Sequence, residues 1–346
     1  MDSSPVSGLV DGHPEVRPYE DFDESEVLAL LASCLPGWQL PLARERFRWK
    51  HERNPFGVSQ RDVVVLENRI VGFSAGMRWR VELDGRVYSA RRGTDLAVAL
   101  DLQRRGIYQE MRRHRRQMPD EEDVSYRHRN DLSEGAARKA GGVVGRHLSS
   151  DLAPRSPVRL VAWRLWGRET PVSCRGFSSV GELLEDEAKV EDLLARCVPA
   201  GRLVTHRSVD YLRWRYAQYP GRDYVTLPLH ESDGRLRGLL IGRAAAAIPD
   251  RSPPYFEVSE LIVPEGDRAA MRRLLRGVWR ARAAYAAVVT PYPFRSRWEA
   301  AVAGFPVARR RGWWFAARAK RPDVGLPEDI ADPRRWQLPL GDLEAI

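Results

Sequence analysis

Lysine is scarce in this chain. Only Lys50, Lys139, Lys189 and Lys320 contribute to a total of 56 basic residues; the rest are arginine. Arginine codons are GC-rich, so this skew lowers the information carried by any one arginine. The net charge is +9 and the isoelectric point about 9.7, but the cations are interleaved with 47 acids along the whole length. A nucleic-acid surface gathers its cations on one face or stripe, so that partner rests here on charge alone. Cysteine is nearly absent too. Cys34, Cys174 and Cys197 are odd in number and show neither CxxC nor Cys/His ligand spacing. This excludes a disulfide framework and a structural zinc site, and reads as reduced thiols in a cytoplasmic protein. No apolar run approaches the ~18 residues of a membrane span. Residues 1–13 are rich in Ser, Gly and Pro, and acidic where a signal peptide would be basic and then apolar. They read as a disordered tail.

What is present is a core-forming, soluble composition, 43% hydrophobic with a mean hydropathy of −0.46. The length of 346 residues is comfortable for two domains. The chain is an internal duplication. Residues 47–55 (FRWKHERNP) recur as 212–220 (LRWRYAQYP), which places Trp49 and Trp214 in register. Each copy is followed by a strand, a turn and a strand around a glycine, at 63–73 and 224–240. Each also opens with a strand and an amphipathic helix, at 16–31 and 172–194, and closes on a helix running into glycine, at 137–142 and 301–304. A strand-rich stretch at 158–166 closes the first half, so the boundary falls near 167–172.

One segment carries chemistry. Leu96, Ala97, Val98, Ala99 and Leu100 form an apolar run that reads as a buried strand, too short for a helix. A polar turn with Gln103, Arg104 and Arg105 follows, and Gly106 sits where the turn becomes a helix containing Ile107 and Tyr108. A glycine there lets backbone N–H groups approach an anion, and the helix dipole favours negative charge. The arginines add donors suited to phosphate. In the second half the matching slot, 261–269 (LIVPEGDRA), places Glu265 and Asp267 where phosphates would approach. Carboxylates repel a pyrophosphate, so one donor site per chain is expected.

The spacing Gln103-x-x-Gly106 resembles the acyl-CoA signature of the GNAT superfamily of N-acetyltransferases: Gln or Arg, two residues, Gly, one residue, then Gly or Ala. Tyr108 departs from the last slot, as bulky residues do in one acyltransferase subgroup. The order of elements over most of the chain resembles tandem GNAT acyltransferases, among them the mycothiol synthase-like and aminoglycoside acetyltransferase-like two-lobed enzymes of actinobacteria. The resemblance implies an α/β (α+β mixed sheet) fold of two tandem GNAT-like lobes, each a mixed, mostly antiparallel sheet flanked by helices. The N-terminal tail would be 1–14, the acyl-CoA lobe 15–168, a degenerate lobe 169–322 and the C-terminal tail 323–346.

The resemblance further implies a splayed pair of parallel strands, at 95–100 and 124–127, with pantetheine between them. Backbone groups of Leu96, Ala97 and Val98 would hold the pantetheine amides, and Gln103, Arg104, Arg105, Gly106, Ile107 and Tyr108 the pyrophosphate. Asn130 is either a pantetheine ligand or a plain loop residue. Acyl transfer to an amine needs a proton acceptor and a proton for the leaving thiolate. Asp95 is the best-placed base, ahead of Glu134 and Asp131. The Tyr that serves the family as acid is replaced by Ala137 and Ala300. Tyr126, Tyr108 or a residue of the second half substitutes for it, or the thiolate leaves unaided, given a thiol pKa of about 8.5. The basic run 112–116 would grip the CoA 3′-phosphate, receive an acyl carrier protein, or form a solvated face. Trp313 and Trp314 line an apolar pocket or cover one face of a strand. The segment 336–346 is apolar enough to dock on the body, and its carboxylate is a further candidate base.

The function this implies is transfer of an acyl group from acetyl-CoA or a longer acyl-CoA to a primary amine of a small molecule or peptide. Attack would be direct, in a ternary complex and without a metal. The alternatives are an acyl carrier protein-dependent acyltransferase in natural-product biosynthesis and a non-catalytic acyl-CoA-binding protein.

Overall fold

The computed structural model describes residues 13–39, 41–119, 121–129, 131–139, 145–154, 174–175, 177–245, 255–280, 282–283, 287–290 and 308–339. The first half forms strands β1 (Glu15–Pro18), β2 (Gln60–Leu66), β3 (Arg69–Leu83), β4 (Arg86–Val98), β5 (Val124–Arg129) and β6 (Arg146–Pro154). Its helices are α1 (Glu24–Cys34), α2 (Ala43–His51), α3 (Ile107–Gln117) and α4 (Asp131–Lys139). The second half forms β7 (Cys174–Arg175), β8 (Ser178–Ser179), β9 (Leu203–Thr205), β10 (Val225–His230), β11 (Leu236–Ala245), β12 (Tyr255–Ile262), β13 (Arg282–Ala283), β14 (Ala287–Thr290) and β15 (Ala308–Ala319). Helices α5 (Val180–Leu183), α6 (Glu187–Arg196), α7 (Val209–Leu212) and α8 (Arg268–Arg280) accompany them, and β16 (Trp336–Gln337) follows near the C-terminus.

Local sequence explains most of the elements. Glu67–Asn68 and Asp84–Gly85 take left-handed dihedrals in the two-residue turns of the β2–β3 and β3–β4 hairpins, the geometry that matches strand twist. α1 buries Val27, Leu30 and Leu31, one stripe of a 3.6-residue repeat, against β3 and β4. The helix expected at 180–194 is two helices, because Ser179 and Asp186 each cap a new start. The apolar run at 96–100 belongs to a longer strand. β4 begins at Arg86, and Leu100 already opens a 3-10 turn.

Strands are ordered β1-β2-β3-β4-β5-β15-β6-β14-β12-β11-β10-β8 in a mixed sheet of 14, with β9 and β16 attached beside β3. Each half is antiparallel up to one parallel pair, β4–β5 in the first and β12–β14 in the second. The halves 15–168 and 169–322 interleave: β15 lies between β5 and β6, and β6 lies between β15 and β14. The largest core spans both halves, with Trp49, Trp79, Tyr126, Trp214, Phe315 and Trp336 among its buried members. Trp49 and Trp214, the landmarks of the duplication, meet there. Of the segment 336–346 expected to dock, the described residues do: β16 pairs with β9, and Trp336 packs on Tyr126 and Phe315 at centroid distances of 5.3 and 5.1 Å. The strand expected at 158–166, the tail 1–12 and Asn130 lie outside the described residues. Among the described residues no helix is long and apolar enough to cross a membrane.

Candidate acyl-donor site

The parallel pair β4–β5 is closed at one end and open at the other. Pairing runs from Ala90–Val124 to Gly93–Arg127 and stops. β4 continues to Val98, held on its other side by β3 through Phe73–Ala97 and Gly72–Val98. The cause is a bulge: Ala75 opposes Thr94 and Phe73 opposes Ala97, so Asp95 and Leu96 share one partner position, and Asp95 takes φ +46°. Leu96 is 37% exposed on the opened stretch. Leu96, Ala97 and Val98 therefore line an open strand edge, the place where an amide-bearing arm can add as a further strand.

The strand leads into the turn that sequence chemistry singled out. Val98 O accepts from Gln103 Nε2 at 3.3 Å. Arg104 is left-handed at φ +67°, and Gly106 at φ +90° is the N-cap of α3. Ile107, fully buried, pins the helix start, its Cγ2 lying where a Cβ on Gly72 would approach to 3.2 Å. No side chain caps α3. Its first N–H groups are available to an anion, with the dipole behind them. The matching turn of the second half is closed. Asp267 accepts from Ala270 N at 2.9 Å and binds Arg237 at 2.8 and 3.1 Å, while Glu265 accepts from Ala200 N at 3.1 Å. An internal carboxylate already occupies that helix start.

Asp95 points away from the turn into a buried cluster. Its carboxylate binds Lys50 Nζ at 2.6 Å, His51 Nε2 at 3.0 Å and Trp38 Nε1 at 3.3 Å. These partners hold it charged, with its pKa well below the usual carboxylate range despite burial. Burial in turn pushes His51 down to about 4. The second half repeats the contact: Tyr216 donates to Glu260 at 2.8 Å, and Glu260 stands beside the register shift of β12. His51 and Tyr216 occupy equivalent helix positions, as do Asp95 and Glu260 on their strands. An acid kept in both copies, whether or not the turn is open, ties the bulge to the tryptophan helix. Glu134, the weaker candidate, is also engaged, by Arg129 at 2.8 Å, Arg138 at 2.9 Å and Gly145 N at 2.9 Å. Asp131 opens α4.

Side chains of β5 alternate between two faces. Tyr126 and His128 lie on one, against Phe315 and Trp336. Both ring nitrogens of His128 are buried without a hydrogen-bond partner among the described residues, and burial holds the imidazole neutral, its pKa well below 6.5. Its place one position past the last closed rung is set by strand register and leaves no mark in the sequence. On the other face Ser125, Arg127 and Arg129 floor a cleft of about 270 Å³ walled by Tyr108, Arg112, Arg115 and Arg116 of α3 and Ala137 of α4. The basic run is thus divided by the helix. Arg113 turns outward to Glu110, while three arginines face the cleft. Arg138 lies over Trp314 at 5.0 Å, so that ring is covered by a cation.

Neither a family model nor a curated protein matches the chain. Solved structures that share its architecture include two of note. A conserved protein of unknown function from Enterococcus faecalis V583, described as a probable N-acyltransferase, is 15% identical; it superposes with a TM-score of 0.61 over 89% of this chain and 72% of that one. Eis1 from Mycobacterium abscessus is 14% identical, with a TM-score of 0.51 over 88% of this chain and 73% of the other. At these identities the likeness is one of fold: the chain has a two-lobed, GNAT-like fold of mixed sheets flanked by helices.

Proposed function

We propose that this protein is an N-acyltransferase of the tandem GNAT kind, cytoplasmic and of actinobacterial type, acting on a primary amine with acyl-CoA as donor. The observation that carries this reading is the contrast between the two halves. The same strand–turn–helix is open and uncapped at Gly106 but closed by Asp267 in the other copy. A turn needed only for folding has no reason to differ in that way.

The acyl thioester supplies the electrophilic carbonyl. Backbone groups of Leu96, Ala97 and Val98 orient the pantetheine arm, and the turn from Gln103 to Tyr108 takes the pyrophosphate. Asn130 remains a candidate ligand of the arm. The amine nitrogen forms a bond to the thioester carbon, and the carbon–sulfur bond breaks. A ring nitrogen of His128 receives the amine proton, and the Tyr126 hydroxyl gives one to the departing thiolate. Lys50 and His51 engage Asp95, which we assign to holding the bulge open rather than to proton transfer.

The test is thiol release from acetyl-CoA and longer acyl-CoAs over a panel of amines. Turnover that Gly106→Glu abolishes supports the reading. Tight CoA binding without turnover favours a non-catalytic binder, and turnover only with carrier-bound acyl groups favours a carrier protein as donor.

A further inference from the structure

The cleft floor holds charge that the donor turn does not need. Gly76 of β3 and Gly93 of β4 are register partners, and each makes room for an arginine lying across the sheet. A Cβ on Gly93 would stand 3.4 Å from Arg127 Nε, and one on Gly76 would stand 2.6 Å from Arg91 Cδ. Arg91 is buried in the floor and Arg127 half-buried at its surface, and desolvation pushes both pKa values down to about 10, still charged at neutral pH. Among the described residues no carboxylate pairs with Arg127, and its charged neighbours Arg112, Arg129 and Arg318 all repel it. Arg91 faces Asp62 and Glu122, but Glu122 is taken by Arg78 and Arg115, and Arg91 Nε has no hydrogen-bond partner. A cation partly withdrawn from water without a counter-charge is costly. A fold keeps such a pair where a ligand brings the charge.

Position says which part of a ligand. Arg127 belongs to the last closed rung of β4–β5, opposite Gly93. Val98 and the phosphate turn lie five residues further along β4, roughly 16 Å away at about 3.3 Å per residue. A donor with its pyrophosphate at Gly106 and its arm along Leu96, Ala97 and Val98 ends at the closed rung. The anion met there lies beyond the sulfur.

We infer that Arg127 and Arg91 form a carboxylate site at the closed end of the splay, and that one of the two substrates carries a carboxylate. The source is either the acyl group, as the half-thioester of a dicarboxylic acid, or an amino acid-like acceptor. The assignment to a substrate rests on the acyltransferase reading; the anion site rests on the arginines.

The first experiment needs no acyl chemistry. Succinate binding is measured by calorimetry and thermal unfolding on the wild-type protein and on Arg127→Gln. The variant is expected to raise the melting temperature of the ligand-free protein, because a half-buried charge with only like-charged neighbours is removed. It should also weaken succinate by about 10- to 100-fold, the value of a charge-assisted hydrogen-bond pair. The second experiment compares succinyl-CoA with butyryl-CoA, and glycine with glycinamide. Preference for succinyl-CoA places the carboxylate on the acyl group; preference for glycine places it on the acceptor. Either preference must disappear in Arg127→Gln. The proposal is overturned if succinate does not bind and both members of each pair react alike, or if Arg127→Gln lowers CoA affinity alone, which would make the arginines phosphate ligands. If no acyl transfer is found with any pair, the acyltransferase reading fails while the succinate measurement still decides the site.

Discussion

Trp49 and Trp214 accept hydrogen bonds from each other. Nε1 of Trp49 donates to the Trp214 carbonyl at 2.8 Å, Nε1 of Trp214 donates to the Trp49 carbonyl at 2.9 Å, and the rings stack at 4.6 Å with 12° between their planes. The two residues are 165 apart in the chain and equivalent in its repeat. The contact is self-complementary in the manner of a two-fold dimer interface, here joined within one polypeptide.

Phenylalanine at either position keeps a ring and removes the donor, leaving a buried carbonyl unpaired. Each substitution should cost about 1–3 kcal/mol. Because the core around the pair belongs to both halves, denaturant unfolding should remain a single transition in the wild type and in both variants. Two separated transitions would contradict the shared core.

Asp95→Asn should destabilise by about 3–5 kcal/mol, since it strands the buried Lys50 ammonium without its counter-charge. Adding Lys50→Met should restore most of that loss. If Asp95 only holds the bulge, the double variant recovers acyl transfer along with its fold. A stable double variant without turnover would return Asp95 to proton transfer.

Gly106→Glu should lower CoA affinity at least about tenfold, measured by titration calorimetry, by setting a carboxylate against the pyrophosphate at the α3 N-terminus. Asp267→Ala removes the cap of α8 and should cost about 1 kcal/mol of stability. It should leave CoA affinity unchanged if the donor binds only at the Gly106 turn.

Stability should fall on acidification below neutrality. His51 titrates near 4 in the fold and near 6.5 when unfolded, so between these values the unfolded chain takes up a proton that the fold refuses. Stability therefore rises with pH across that window, by about 3 kcal/mol from this group. His128, also depressed, acts with the same sign. Asp95, depressed below the usual carboxylate range, extends the loss to still lower pH. His51→Gln should flatten the slope of unfolding free energy between pH 6.5 and 4.

Residues 15–168 expressed alone should not give a cooperatively folded domain. β5 and β6 would lose β15, the strand between them, and expose two edges. Circular dichroism with thermal unfolding checks this.

The open turn at Gly106 and the blocked one at Asp267 were readable from residue type alone, because left-handed glycine, helix capping and carboxylate repulsion act within a few residues. The duplication was readable from the spacing of its tryptophans. β4 was only half legible. Its first residues, Arg86 to Thr94, look like surface in sequence, yet Arg91 and Arg92 are buried among partners on other strands; the Asp84–Gly85 turn was the available signal. Asp95 looked like a free base because Lys50 and His51, its partners, lie more than forty positions earlier. His128 and Arg127 gave no sequence signal, since a ring nitrogen buried without a partner and a cation set among like charges are properties of the surroundings.

The sequence by itself determined the two-lobed plan, one open turn at Gly106 and its closed counterpart at Asp267. Each of these follows from interactions between near neighbours or from repetition. Tertiary structure alone decided which acid is spent on holding a strand, which imidazole is left neutral, which arginines line the cleft floor beside like charges, and that β15 crosses from one lobe into the other. Those outcomes depend on desolvation and on charges brought together from distant parts of the chain, and such terms take their value only once the chain has packed.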